Sequence, residues 1–152
     1  MIVKSINLVV GVSAFLWLTS CALKPVTNDY NLVETNINEV DLDDLGNGKV
    51  LVYNGAALWI HGRFEKSNVW IDGKGLGQLR VREYVVVDLE EGDYQIRIKR
   101  NDGLFTLPKS THDIKVDKHT RVIKVTPSFF TSSVVQAEEL PRRFEKFAYA
   151  KK

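Results

Sequence analysis

The stretch "VWIDGKGLGQLRV", residues 69–81, decides the fold. Val69, Trp70 and Ile71 form a β-branched and aromatic run that ends at Asp72-Gly73. A second run follows, with Leu79 and Val81 alternating against Arg80 and Arg82. An Asp-Gly pair between two such runs predicts a β-hairpin, because glycine accepts the positive φ that a tight turn demands. The glycines here follow G-x-G-x-G and no helical pattern comes after them. Neither a dinucleotide-binding fingerprint nor a phosphate-cradling P-loop is met.

Outward from this hairpin the period of two continues. "KVLVY" (49–53), "ALWIHGRF" (57–64), "NVWID" (68–72), "GQLRVRE" (77–83), "YVVVDL" (84–89), "DYQIRIKR" (93–100), "HDIKVD" (112–117) and "TRVIKV" (120–125) are short runs separated by turn residues. In residues 94–99, Tyr94, Ile96 and Ile98 alternate with Gln95, Arg97 and Lys99. Such alternation means strands with one buried and one wet face. "EEGDY" (90–94) reads as a second hairpin turn like Asp72-Gly73. The fold class expected is mainly β, a small antiparallel β-sandwich. At the end of the chain, Pro141 suits a first helical turn. Leu140, Phe144, Phe147 and Ala148 fall on one side, which predicts a short C-terminal helix.

The two turns and their flanking strands, "VWIDGKGLGQL" and "YVVVDLEEGDYQIRIK", resemble the PEGA-type domain and a related domain of bacterial lipoproteins. The similarity covers about residues 50–126. It implies a prealbumin- or immunoglobulin-like sandwich at the envelope surface. It carries over no catalytic residue, because Asp72, Gly73, Gly77, Leu89 and Gly92 are turn and packing positions. Glu90-Glu91 stand where such domains often have proline.

The start of the chain agrees with that setting. Lys4 precedes a charge-free run from Ser5 to Ser20, the plan of a secretory signal peptide. The run is shorter than the roughly 20 residues a membrane-spanning helix needs. Leu18-Thr19-Ser20-Cys21 resembles the lipobox of bacterial lipoproteins, in which the cysteine is alkylated with diacylglycerol and becomes the first residue after cleavage. Cys21 is the only cysteine of the 152 residues, so acylation would leave neither a free thiol nor a disulfide. Ala22 follows it where Asp favours inner-membrane retention in Gram-negative lipoproteins. The resemblance therefore implies an outer-membrane anchor facing the periplasm.

Residues 22–48 carry six acids against Lys24, and residues 49–152 carry 19 bases against 13 acids. Charge sign and composition change together near Gly46-Asn47-Gly48. The expected organisation is a signal peptide at 1–20, an acidic flexible tether at 21–47 and a sandwich at 48–152. The tether reads as an extended linker that holds the domain off the lipid surface, its latter half lying along the domain. Its loosely spaced apolar residues are Leu32, Val33, Ile37, Val40, Leu42 and Leu45. "DLDDLGNG" lacks an oxygen ligand at Leu45 and is a solvated acidic run, not a calcium loop.

No catalytic constellation emerges. His61, His112 and His119 have no metal-ligand spacing, and no activated nucleophile is present. The expectation is a non-enzymatic protein with no cofactor, no metal and no nucleic-acid partner. What remains is surface. With strands 79–82, 94–99, 114–116 and 121–125 as neighbours, Arg80, Arg82, Arg97 and Lys99 form a basic face, joined by Lys115 and Lys124. That face is either plain solvated surface or a platform for an anionic envelope polymer such as a glycan, or for an acidic protein. Trp59, Trp70 and Tyr84 read as core fillers or, alternatively, as a sugar-stacking shelf. The alternatives to a binding or scaffolding role are a docking component of a multi-protein envelope complex and a cell-wall enzyme or enzyme inhibitor.

Overall fold

Asp72 and Gly73 both take positive φ, 48° and 79°. This is the turn geometry whose twist matches that of paired strands. The structure is a computed structural model that describes residues 23–57, 66–100, 109–128 and 132–150. Nine strands lie among the described residues, in two sheets. The five-stranded sheet holds β1 (Lys49–Asn54), β4 (Glu83–Asp88), β7 (Val122–Thr126), β8 (Ser133–Ala137) and β9 (Ala148–Tyr149). Its order is β8-β7-β1-β4-β9. The four-stranded sheet holds β2 (Lys66–Ile71), β3 (Lys74–Arg80), β5 (Gly92–Arg100) and β6 (Ser110–Val116), in the order β3-β2-β5-β6. The expected β-sandwich is the fold. The run at 57–64 lies almost wholly outside the described residues, and so do residues 1–20, where a signal peptide is expected, and Cys21.

The sheets face each other across a core of alternating side chains. Val50, Val52, Val85, Val87, Ile123 and Val125 come from one sheet; Val69, Ile71, Leu79, Ile96 and Ile98 come from the other. Each such side chain, fully buried, contributes about 1.5–3 kcal/mol. The pairing is not wholly antiparallel: β1 pairs with β7, and β4 with β9, in parallel. "EEGDY" is not a hairpin either. It carries the chain from β4 in one sheet to β5 in the other, and the Tyr94 hydroxyl donates to the Glu90 carbonyl at 2.9 Å.

The second face of the five-stranded sheet is also buried. Leu51, Tyr53, Tyr84, Val86 and Val122 point away from the first core. Val33, Ile37, Val40 and Leu42 from the acidic segment cover them, with Leu140, Phe144, Phe147 and Tyr149 from the C-terminus. The apolar residues of the acidic segment are loosely spaced because that segment crosses the sheet in extended backbone and two 3₁₀ turns, Ile37–Glu39 and Leu42–Asp44. Residues 24–47 are thus laid along the sandwich from their beginning, not only in their latter half.

The expected C-terminal helix is absent. Arg143 takes a left-handed φ of 59°, one 3₁₀ turn follows at Phe144–Lys146, and the chain then becomes β9. Ala148 N–H donates to the Arg82 carbonyl at 3.0 Å and Ala150 N–H to the Tyr84 carbonyl at 2.9 Å. Covering the open edge of β4 satisfies backbone groups that a free helix would leave exposed. The apolar spacing that suggested a helix is used instead to place Phe144 and Phe147 against Tyr84 and Tyr53.

Candidate functional site

On β2 and β5 the outer face of the four-stranded sheet is built by alternation, while β3 carries a bulge at Leu76. Val69 and Ile71 point into the core, so Asn68 and Trp70 point out; Ile96 and Ile98 point in, so Gln95, Arg97 and Lys99 point out. Register then sets the neighbours. Trp70 stands opposite Arg97, and Asn68 opposite Lys99. Directly opposed residues hold their Cβ atoms about 4.5–5.5 Å apart. Arg97 also faces Thr111 on β6. The Lys109 ammonium lies over the Trp70 ring, 5.2 Å from its centroid. One row nearer the strand ends, Lys66 stands opposite Arg80.

Charge is graded along the strands. Lys66, Arg80, Lys99, Arg97 and Lys109 gather toward one end, whereas Asp72, Asp93 and Asp113 lie toward the other. Besides Lys109 over the Trp70 ring, Arg97 and Arg80 have polar partners nearby. The Arg97 guanidinium donates twice to Gln95 Oε1, at 3.0 and 2.9 Å. Arg80 Nε lies 3.9 Å from Glu83 Oε1, and its backbone N–H donates to Glu83 Oε2 at 2.7 Å. The ion pair is largely solvated, with the Arg80 side chain 56% exposed, and its attraction is correspondingly small.

Of the four cations singled out in the sequence, the structure brings Arg97 and Lys99 together and sets Arg80 at the rim. Arg82 is elsewhere. It takes φ 63° in the corner where the chain passes from β3 to β4, and its N–H donates to the Asn54 carbonyl at 3.1 Å. Lys124 belongs to the other sheet, opposite Tyr53, and Lys115 lies at the acidic end, opposite Asp93. The strands taken as neighbours are not all adjacent, since β2 separates β3 from β5. Tyr84 is fully buried; Trp70 is half-buried on the outer face and is no core filler. Trp59 and His61 lie outside the described residues. Lys66 and Lys109 went unremarked in the sequence. The outward aim of Trp70 was readable from its alternation with Val69 and Ile71.

The acidic segment enters on this face. Asn68 Nδ2 donates to the Lys24 carbonyl at 2.7 Å, and Gln78 Nε2 donates to Asn68 Oδ1 at 2.9 Å. The segment then crosses the edge strand β3. Asp29 N–H donates to the Gly75 carbonyl, and the Asp29 carboxylate accepts the Gly75 N–H. A Cβ on Gly75 would fall 2.0 Å from the Thr27 carbonyl oxygen, so only glycine admits the crossing. The Tyr30 hydroxyl donates to the Ile71 carbonyl at 2.9 Å. Burial, then the nearby Asp72 charge, pushes that phenol above its usual range. Leu32 bridges Val87, which carries the segment over to the other sheet. Beneath this strap is a cleft of ≈ 860 Å³ between the two sheets, lined by Val26, Leu32, Leu76, Leu79, Val85 and Ala148.

Among the described residues, no group of three or more His, Cys, Asp or Glu is placed to hold a metal ion. His112 Nε2 lies 2.8 Å from Ser132 Oγ, where β6 approaches the start of β8. Comparison of the chain with family models, with curated proteins and with solved structures finds no match.

Proposed function

We propose that the chain is a lipid-anchored protein of the cell envelope, held by Cys21 in the outer membrane and facing the periplasm. Its sandwich works by binding, without catalysis, and takes an anionic partner on the basic end of its outer sheet face. The observation that carries this reading is the placing of Trp70 opposite Arg97 and under the Lys109 ammonium, with Lys99 in the next row. An indole supplies a flat apolar contact and the cations supply attraction for carboxylate, sulfate or phosphate groups. The lipobox resemblance at Leu18–Cys21 supports the anchor.

Two measurements test the reading. Cys21→Ser should abolish diacylglycerol labelling and leave the uncleaved precursor. The folded chain should be retained on an immobilised polyanion such as dextran sulfate and released by salt, because surface attraction is screened over about 8 Å at physiological ionic strength. Changing Arg97 and Lys99 to Gln should shift release to lower salt. A parent chain that flows through unretained overturns the polyanion reading.

A further inference from the structure

The place where the anchored end of the chain meets the domain bears directly on what the basic face touches. This step rests on the lipid-anchor reading above and names the anionic partner. We infer that the basic end of the outer face docks on the anionic headgroups of the leaflet that holds the Cys21 lipid.

Covalent geometry sets the distance. Lys24 is fixed to the outer face through Asn68, and three peptide units separate it from Cys21. Consecutive Cα atoms are at most 3.80 Å apart, so the acylated residue lies within about 11 Å of Lys24. The slack between lipid and domain is therefore those three peptide units, not the whole acidic segment. Beyond Lys24 that segment is held by the Asp29–Gly75 pair, the Tyr30 hydroxyl and the Leu32–Val87 bridge. The domain cannot stand off, and the side it turns to the lipid is the one Lys24 lies on.

That side has the chemistry an anionic leaflet attracts. Lys24, Lys66, Arg80, Lys99, Arg97 and Lys109 lie at the end where the anchor enters. The acids of the same sheet lie toward the far end, so the surface potential of the leaflet orients the domain as well as attracting it. Trp70 sits among the cations, and tryptophan favours the headgroup level of a bilayer. A soluble acidic polymer would suit the same charges, but nothing in its binding calls for the anchor to enter beside them.

The test uses the lipidated full-length product in phosphatidylcholine vesicles, with and without phosphatidylglycerol. Brominated lipids report the depth of Trp70, read as the difference between the parent and Trp70→Phe. A spin label on Thr111→Cys reports the same face independently, and one on Lys124→Cys reports the opposite sheet. With phosphatidylglycerol present, Trp70 should be quenched and the Thr111 label shielded from aqueous relaxant, while the Lys124 label stays accessible. High salt should reverse both effects. Each cation at an anionic surface shifts the ratio of docked to undocked protein about fivefold, so Arg97→Gln, Lys99→Gln and Lys109→Gln together should lower that ratio roughly a hundredfold. Lipidated protein whose Trp70 and Thr111 remain exposed on anionic vesicles overturns the docking and leaves the anchor standing. If an acidic glycan protects Trp70 while those vesicles do not, the face belongs to the polymer. A product whose mass lacks diacylglycerol overturns the anchor and the docking together.

Discussion

Asp29 and Gly75 hold each other twice: Asp29 N–H donates to the Gly75 carbonyl at 2.7 Å, and Asp29 Oδ2 accepts the Gly75 N–H at 2.6 Å. The pair closes the edge of β3 with a segment that enters on the outer face and leaves toward the other sheet. Asp29→Ala removes the carboxylate bond and should cost up to about 1.5–3 kcal/mol, the range for a hydrogen bond to a charged group. Gly75→Ala should act more strongly, because its Cβ and the Thr27 carbonyl cannot occupy the same space. The strap would have to lift. Limited proteolysis should then cut first within residues 24–33, a segment that should be protected in the parent. Unchanged protection in Gly75→Ala would mean that the strap does not rest on β3 in solution.

Asn54 ties the two sheets together from the end of β1. Its side chain is almost fully buried; Nδ2 donates to the Leu79 carbonyl at 3.2 Å and Oδ1 accepts the Ala56 N–H at 3.1 Å. Asn54→Leu keeps the approximate volume and strands both backbone groups without partners. Each unsatisfied buried group costs about 1–3 kcal/mol, so a loss of roughly 2–4 kcal/mol is expected from urea unfolding. A variant with the parent's urea midpoint would show that water reaches both groups.

The comparison of residues with structure shows where pattern reading holds and where it stops. Alternation placed Arg97 and Lys99 outward because β5 continues straight through both. It failed at Arg82, where "LRVR" still alternates although the strand has ended at Arg80 and the chain has turned a corner. "VLVY" (50–53) and "YVVV" (84–87) are continuous apolar runs, which signal burial on both faces. Read as half-wet strands, they hid the third layer that the acidic segment and C-terminus supply. "SVVQA" is short and partly exposed, and only its pairing with β7 makes it a strand. The C-terminal spacing fits a helix in isolation; the uncovered edge of β4 and the rings of Tyr84 and Tyr53 decide otherwise. No local signal carries that information.

Tyrosine burial predicts an alkaline limit to stability. Burial raises the phenols of Tyr53, Tyr84 and Tyr149 above their usual range. Nearby Glu34 raises Tyr149 further, and the Tyr84 hydroxyl donates to the Thr35 carbonyl at 3.2 Å. In each case the folded chain holds its proton more tightly than the unfolded one. The stabilisation is therefore complete below the ordinary phenol value of about 10 and is lost as pH rises through the higher folded values. The urea midpoint should be flat to about pH 9 and fall steeply above about pH 10, together with tyrosinate absorbance. Tyr84→Phe should make the fall shallower. A midpoint that is insensitive to pH in this window would show that these rings are hydrated.

The C-terminal cover allows the sharpest test of the third layer. Tyr84 packs against Phe144 at 5.0 Å and edge-on against Tyr149 at 5.7 Å, while Tyr53 meets Phe147 edge-on at 5.6 Å. Such aromatic pairs add about 0.5–1.5 kcal/mol each beyond area burial. The same residues hold β9 along Glu83 and Tyr84, so packing and edge protection are lost together if they are removed. Phe147→Ala alone should cost about 2–3 kcal/mol, somewhat less than a fully buried aromatic because its site is half-buried. A chain ending at Glu139 should lose far more than the sum of single changes, since it uncovers the rings of Tyr53 and Tyr84 together and leaves that face to Val33, Ile37, Val40 and Leu42 alone. Contiguous apolar surface of that kind binds hydrophobic dyes and promotes association. The truncated chain should therefore bind such a dye while native and aggregate at concentrations where the parent is soluble. If it instead unfolds at the parent's urea midpoint without binding dye, the inter-sheet core alone sustains the fold, and the C-terminal segment is an appendage.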